Sequence, residues 1–217
     1  MTDSMIEIKK YDLPDIDIFY DEAKETDFFF WVPDDYYIVL GNSNKPTENL
    51  INENIVKDNI IVYKRPSGGE TVILTPNTLV ISIKVTLEKF LNPSKHFWYF
   101  NNKIIEGLKT LGVENVFYKG ISDVAIGEKK ILGSSIYRKR KVLFYHAVLN
   151  VSEPIETIDR YIKHPTKEPD YRKGRKHGEF VTSLQEAGYQ LSFNQLKSAL
   201  RQQFESISED EVKELSR

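Results

Sequence analysis

Lys64-Arg65-Pro66-Ser67-Gly68-Gly69-Glu70-Thr71-Val72 lies between two runs of strand character, and the fold turns on how it is read. Paired glycines let a backbone approach a ligand without interference from Cβ, and they tolerate positive φ. Successive N–H groups in such a turn can form a concavity for a carboxylate or phosphate. Arg65 would add a permanent positive charge with bidentate geometry. Taken alone, the same residues read first as a plain Ser-Gly-Gly hairpin turn.

Residues 36–40 read as a strand stopped by Gly41-Asn42, and 59–64 as another, stopped by Pro66 and the glycines. Residues 71–74 and 79–85 are expected to form the two arms of a hairpin around Thr75-Pro76-Asn77. Ile16, Phe19, Tyr20 and Ala23 recur at helical spacing and predict a short amphipathic helix ending near Asp27. The strongest helix covers 94–111, with Phe97, Phe100, Ile104, Leu108 and Leu111 on one face and Gly112 just past its end. Strand-like segments follow at 115–118, 129–138 and 142–151, the last two joined by the basic tip Arg138-Lys139-Arg140-Lys141. A short helix is expected at 155–162, then a polar loop over 163–178. Ser192 opens a closing helix, with Gln195 placed for a capping box and Leu196, Leu200 and Phe204 on its apolar face. This pattern predicts an α+β fold, a central mixed or antiparallel sheet flanked by helices. No repeat or low-complexity linker interrupts residues 1–217, which read as one domain.

A second segment could carry chemistry: Ser122-Asp123-Val124-Ala125-Ile126-Gly127-Glu128-Lys129-Lys130-Ile131-Leu132-Gly133-Ser134-Ser135. On an alternating strand Lys129 and Lys130 point to opposite faces, so only one can face a pocket. A lysine pointing inward beside a Gly-Ser backbone could neutralise a carboxylate and an α-phosphate as they react. Paired hairpin lysines are otherwise usually solvated.

Bulk composition narrows the class. Hydrophobic residues make up 40% and charged residues 29%, an ordinary balance for a globular chain. A formal net charge of −2 does not suit a general nucleic-acid binder. The 12 Phe and 12 Tyr favour a filled core with much β structure. There is no cysteine, which removes disulfides, thiolate metal sites and any Cys nucleophile. The start lacks a secretory pattern and no stretch is apolar enough to span a membrane, so a cytoplasmic location is expected.

Together these segments resemble the lipoate–protein ligase family and its octanoyltransferase and biotin-ligase relatives. The ligases carry R-x-S-G-G-G-x-V, matched by residues 65–72, and V-I-G-x-x-Q-N, matched by Val39-Leu40-Gly41-Asn42-Ser43-Asn44. Their N-D-(apolar)-x-(apolar)-x-G-x-K-(I/V)-x-G-S-A pattern is followed by 122–135. Tyr145-His146-Ala147-Val148-Leu149 and Phe180-Val181-Thr182-Ser183-Leu184 also lie where the family has such segments, so the likeness runs from about Trp31 to Leu184.

The resemblance implies a two-step reaction. ATP, Mg²⁺ and the carboxylate of lipoate or octanoate would give an acyl-adenylate and pyrophosphate. A lysine amine on an acidic lipoyl carrier domain would then attack the mixed anhydride. Carried over by position, Lys130 is the central catalytic lysine, and Arg65, Ser67, Gly68 and Gly69 wrap the acyl tail and adenylate. Asp123 lies on the nucleotide side and Gly133-Ser134 form the bend beneath it; Asn44, Ser122 and His146 complete the expected binding set. Two positions depart from the pattern. Glu70 replaces the third glycine, where a carboxylate either helps hold Mg²⁺ or repels ATP. Ser122 replaces the usual asparagine; Asp123 is a second candidate for Mg²⁺. The family's larger ligases carry a C-terminal accessory domain that these 217 residues do not include, so a separate accessory subunit is one expectation. A non-adenylating acyl-binding or carrier-binding relative is another. A Cys-independent lipoyl or octanoyl transferase is a third.

Of the remaining signals, Arg138 to Lys141 and Arg172-Lys173-Gly174-Arg175-Lys176-His177 are expected to be solvated loops or docking sites for an acidic partner. His96, His146, His164 and His177 lack metal-site spacing, and His146 reads as a supporting residue rather than a catalytic base.

Overall fold

A computed structural model of the chain describes residues 6–90 and 92–216. Two sheets are stacked around a shared core, and their strands interleave along the chain. β1 (Ile8–Lys10), β3 (Tyr37–Leu40), β4 (Ile61–Lys64) and β5 (Val72–Leu74) form a small sheet in the order β1-β4-β3-β5. Its pairs β1–β4 and β3–β4 are parallel, and β3–β5 is antiparallel. β2 (Thr26–Trp31), β6 (Thr78–Thr86), β7 (Val116–Lys119), β8 (Asp123–Ile126), β9 (Lys129–Lys139) and β10 (Val142–Asn150) form a larger antiparallel sheet, ordered β2-β6-β10-β9-β8-β7.

The period-2 alternation of β6 and β10 builds two cores at once. Leu79, Ile81, Ile83 and Val85 of β6, with Leu143, Tyr145, Ala147 and Leu149 of β10, face a helical layer. That layer is α4 (Pro93–Thr110), contributing Phe100, Ile104, Ile105 and Leu108, and α7 (Phe193–Glu205), contributing Leu196, Leu200 and Phe204. The intervening residues Val80 and Phe144 point the other way and meet Val39, Tyr63 and Leu74 of the small sheet. Tyr11, Leu13 and α1 (Ile16–Tyr20) close that inter-sheet core. Beyond the small sheet, Ile38, Leu40, Val62 and Ile73 pack on Leu50, Ile55 of α3 (Asn52–Lys57) and Tyr161 of α5 (Ile155–Tyr161). Phe100 is fully buried under the large sheet, and Phe100→Ala should cost about 3–5 kcal/mol.

Local signals explain the helix boundaries. Asn92 caps α4 by accepting from Ser94 N, with Pro93 in the first turn where its missing N–H is harmless. Ser192 and Gln195 form the reciprocal capping box that starts α7.

Two expectations are corrected. Residues 71–74 and 79–85 do not pair with each other: β5 pairs with β3, and β6 lies between β2 and β10. The 75–77 turn therefore carries the chain from one sheet to the other. Thr75 N donates to Thr78 Oγ1, and Glu153 accepts from Thr75 Oγ1 and Asn77 Nδ2, which fixes this crossing rather than a hairpin. The first helix ends at Tyr20, because Asp21 is extended and the aromatic run 28–31 joins β2. Strand propensity of Phe and Trp outweighs the helical spacing there.

Candidate functional site

The 65–71 loop sits over the inter-sheet core and is held almost entirely by its own backbone. Arg65 is buried, and its guanidinium donates to the carbonyls of Val39 (3.1 Å), Gly68 (2.8 Å) and Glu70 (2.8 Å). Burial lowers its pKa to about 10, still leaving a cation at neutral pH. Arg65 thus shapes the loop from within and also lines the cleft. From the other side, Asn42 N donates to Ser67 O and Ser135 Oγ to Gly68 O (2.7 Å). Asn44 accepts from Gly41 N (2.9 Å) and from Thr71 Oγ1 (3.3 Å), stapling the 41–44 turn to the loop. A Cβ on Gly41 would lie 2.0 Å from Gly69 O, so the close approach requires glycine. Gly69 itself has φ of 89°.

Beneath the loop, Ser67 Oγ and His146 Nε2 are 2.7 Å apart and both residues are buried. Desolvation, then the charge of Arg65, lowers the His146 pKa to about 3, so the imidazole is neutral. Asp15 Oδ2 lies 3.9 Å from His146 Nδ1, which favours the proton on Nδ1 and leaves Nε2 to accept from Ser67. Asp15 is fully buried; it accepts from Tyr11 OH (2.7 Å) and Ser82 Oγ (2.8 Å), and desolvation raises its pKa to about 6. Tyr11, Asp15 and Ser82 had not been singled out in the sequence.

The facing wall is built by β8 and β9. Lys130 and Lys129 point to opposite sides, as alternation requires, and Lys130 is the one that enters the cleft. Its ammonium is 2.8 Å from Asp123 Oδ1, and the lysine stem lies across Gly133, where a Cβ would be 2.7 Å from Nζ. Asp123 Oδ2 accepts from Tyr171 OH (2.9 Å), whose pKa is raised by desolvation and then by the Asp123 charge. Ser134 ties the bend together, donating through N (2.9 Å) and Oγ (2.7 Å) to Ser122 O. Thr182 N donates to Lys130 O, which seats the 180–184 segment on β9.

Two cavities meet at Glu70 and Lys130. A broad cleft of about 970 Å³ runs between the loop and the 120–123 turn. Its walls include Val39, Leu74, Val80, Ala147 and Val148 from the inter-sheet region, together with Lys130, Ser134 and Tyr171. A narrow cavity of about 160 Å³ follows β5, lined by Val72, Ile73, Leu132, Val148 and Ile158, with Thr78, Asn150 and Glu153 in its wall. Glu70 is half-buried. Desolvation raises its pKa, against the lowering effect of Arg65, Lys130 and Lys167.

The expected residues are therefore brought together: Lys130, Glu70, Asp123, Ser122, Gly133, Ser134, Gly68, Gly69 and His146 all line one or both cavities. Ser67 and Asn44 lie just behind that surface as supports. The 172–177 run is solvated only in part: Lys173, Gly174 and Lys176 are exposed, while the other three turn to partners. Arg172 is buried against the Phe180 ring (4.8 Å), Arg175 donates to Tyr171 O and Glu128 O, and His177 bonds Asp159 (2.8 Å). Their planar groups brace the 163–180 segment from inside. Lys139, Arg140 and Lys141 at the β9–β10 tip are at least partly exposed. Among the described residues no cluster of three or more His, Asp or Glu could hold a metal, and no helix is long and apolar enough to cross a membrane.

The arrangement of an antiparallel sheet, a smaller mixed sheet and a Gly-loop cleft is that of the biotin/lipoate-ligase fold. It aligns with lipoate-protein ligase A bound with ATP at a TM-score of 0.74 and 17% identity, over 98% of this chain and 91% of that one. It also aligns at 0.74 and 20% identity, over 90% and 79%, with a chain from the Thermoplasma acidophilum lipoylation system, which comprises a bi-partite lipoate protein ligase and its E2 lipoyl domain. The chain belongs to the family of the lipoyl protein ligase A/B catalytic domain, whose model matches residues 17–205. Lipoate–protein ligase 1 of Staphylococcus aureus is 27% identical over 141 residues, covering 65% of this chain and 42% of that protein. A protein named probable octanoyltransferase from Pyrobaculum calidifontis is 26% identical over 186 residues, covering 86% and 74%. The chain thus spans less than half the length of the S. aureus ligase.

Proposed function

We propose that this chain activates lipoate or octanoate with ATP and Mg²⁺ to the acyl-adenylate, and transfers the acyl group to a lysine of an acidic lipoyl carrier domain. The observation that carries this reading is the position of Lys130, a cation at the junction of two cavities of different chemistry. The inter-sheet arm of the broad cleft is walled by Val39, Leu74, Val80 and Val148 and suits an apolar acyl chain. The narrow cavity along β5 suits a flat base: apolar faces, a strand at the edge of its sheet, and polar groups at Thr78, Asn150 and Glu153. With tail and base so placed, carboxylate and α-phosphate come together at Lys130, which would neutralise the charge that develops between them. The Gly68-Gly69 backbone and Ser134 would orient the two reactants, and closure would exclude water from the anhydride.

Mg²⁺ commonly uses one or two carboxylates and substrate phosphates rather than a protein cage. Glu70 fits that use, because it faces both cavities; Asp123 fits less well, with its oxygens engaged by Lys130 and Tyr171. Bound Mg²⁺ would supply charge neutralisation at the phosphates. We extend the proposal to a separate accessory subunit for the second step, because one structural neighbour belongs to a bi-partite ligase.

The test is pyrophosphate release with ATP, Mg²⁺ and lipoate, octanoate or biotin. Lipoate- or octanoate-dependent release is expected. No release with any acid, together with tight binding of lipoate alone, would favour the second reading, a non-adenylating acyl-binding relative. Glu70 specifically motivates that reading, since a carboxylate beside Lys130 opposes phosphates when no cation bridges them. Acyl transfer between carrier proteins without ATP would instead identify a Cys-independent transferase.

A further inference from the structure

Glu153 lies two residues beyond Val151, just after β10 ends, and it is 2% exposed. Its backbone is locked to Asn150: Glu153 N donates to Asn150 Oδ1 (2.8 Å), and Asn150 Nδ2 donates to Glu153 O (3.1 Å). One carboxylate oxygen, Oε2, accepts from Thr75 Oγ1 (2.5 Å) and Asn77 Nδ2 (3.0 Å). The other, Oε1, is buried without a hydrogen-bond partner. Leaving such an acceptor unmatched is costly in a protein interior, so an unmatched carboxylate oxygen on a residue that lines a cavity points to a donor on the ligand.

The neighbours of this oxygen cannot replace it. Thr78 donates to Thr75 O and accepts from Thr75 N, and the Asn150 carboxamide is engaged by the Glu153 backbone. Thr78 and Asn150 are register partners at one end of the large sheet, so all three polar residues belong to the same wall of the narrow cavity. In that wall the acceptor left over is Glu153 Oε1.

Resting on the adenylation reading, we propose that Glu153 determines the base specificity of the nucleotide: its Oε1 accepts from the 6-amino group of adenine and rejects a 6-oxo purine. Adenine presents a donor at that position and guanine or hypoxanthine an acceptor. An ionised carboxylate only accepts, so it distinguishes the two by sign.

Calorimetric titration of the wild-type chain with Mg²⁺ and ATP, inosine triphosphate or purine riboside triphosphate tests this without mutation. ATP is expected to bind at least about tenfold tighter than either analogue, since a site built to hydrogen-bond a donor rejects ligands lacking it. Glu153→Gln keeps an oxygen for Thr75 and Asn77 and turns an NH₂ toward the cavity. The ATP-to-inosine-triphosphate ratio should fall at least about tenfold in this variant, with lipoate affinity unchanged. Equal binding of the three nucleotides by wild type, or an unchanged ratio in a folded variant, overturns the assignment. Should Glu153→Gln fail to fold, the wild-type analogue series decides alone. Lipoate binding with no nucleotide binding at all would remove the adenylation reading and this assignment together, whereas ATP binding without preference at position 6 removes only the assignment.

Discussion

The two walls of the cleft are held by different kinds of force. On the loop wall, contacts run from side chains to backbone: Arg65 to three carbonyls, Asn44 to Gly41 N, Ser135 to Gly68 O. On the strand wall, a partly exposed lysine meets a buried aspartate that also holds Tyr171, so charge meets charge. Backbone-directed bonds fix shape and cannot be exchanged for ligand contacts without unfolding the loop. An ion pair open to the cleft can be shared, because an incoming carboxylate or phosphate offers Lys130 an equivalent partner. The molecule thus keeps geometry on one side and adjustable charge on the other.

This contrast yields ordered expectations. The largest is for Lys130→Ala, which should lower the adenylation rate by at least about 10²-fold, on the scale of losing a transition-state donor, while leaving the melting temperature nearly unchanged. A rate within a few-fold of wild type would remove Lys130 from the role assigned to it. Gly41→Ala should show the opposite signature. The added methyl meets Gly69 O, so about 1–3 kcal/mol of stability is expected to go, seen as a melting temperature several degrees lower. Unaltered melting would mean that the loop wall is soft after all.

The third expectation concerns pH. The folded-state pKa of His146 is lowered to about 3, so its contribution to stability is present above pH 6.5 and is lost as pH falls toward 3. Asp15 is raised to about 6, so its contribution has the opposite sign: present below pH 3.8 and lost as pH rises through 6. His146 spans the wider interval, and wild type should lose stability on acidification across that interval. In His146→Gln the Asp15 slope remains unopposed. The drop in melting temperature between pH 7 and 4.5 should therefore be smaller than in wild type; an equal drop would assign the acid sensitivity to other groups. Smallest of all is Tyr171→Phe, which frees one oxygen of Asp123. It should raise the KM for ATP by about 3–10-fold, the scale of one ordinary hydrogen bond, with kcat little changed.

Much of this was legible in the chain. Alternation required Lys129 and Lys130 to face opposite ways and the family resemblance singled out Lys130, Ser192 and Gln195 announced α7, and the basic tip marked the β9–β10 turn. What stayed hidden has a common cause, because partners came from far away in sequence. Asp15 looks like one more acid in Asp12-Leu13-Pro14-Asp15-Ile16-Asp17, and only folding sets it on Ser82, 67 residues on. Tyr171 sits in a polar loop, yet bonds Asp123, 48 residues back. The β5–β6 crossing has the local spacing of a hairpin, while its decisive contacts come from Glu153. The aromatic run 28–31 was, by contrast, a strand signal available from the start.

The 75–77 crossing has a mechanical consequence. Residues Thr75, Pro76 and Asn77 are a covalent joint between the sheets that form the two sides of the cleft, and Glu153 pins that joint. Lengthening it by a residue or two would splay the sheets and widen the jaw without altering any side chain that faces a ligand. Grip on the acyl chain can thus be set at a hinge, away from the teeth.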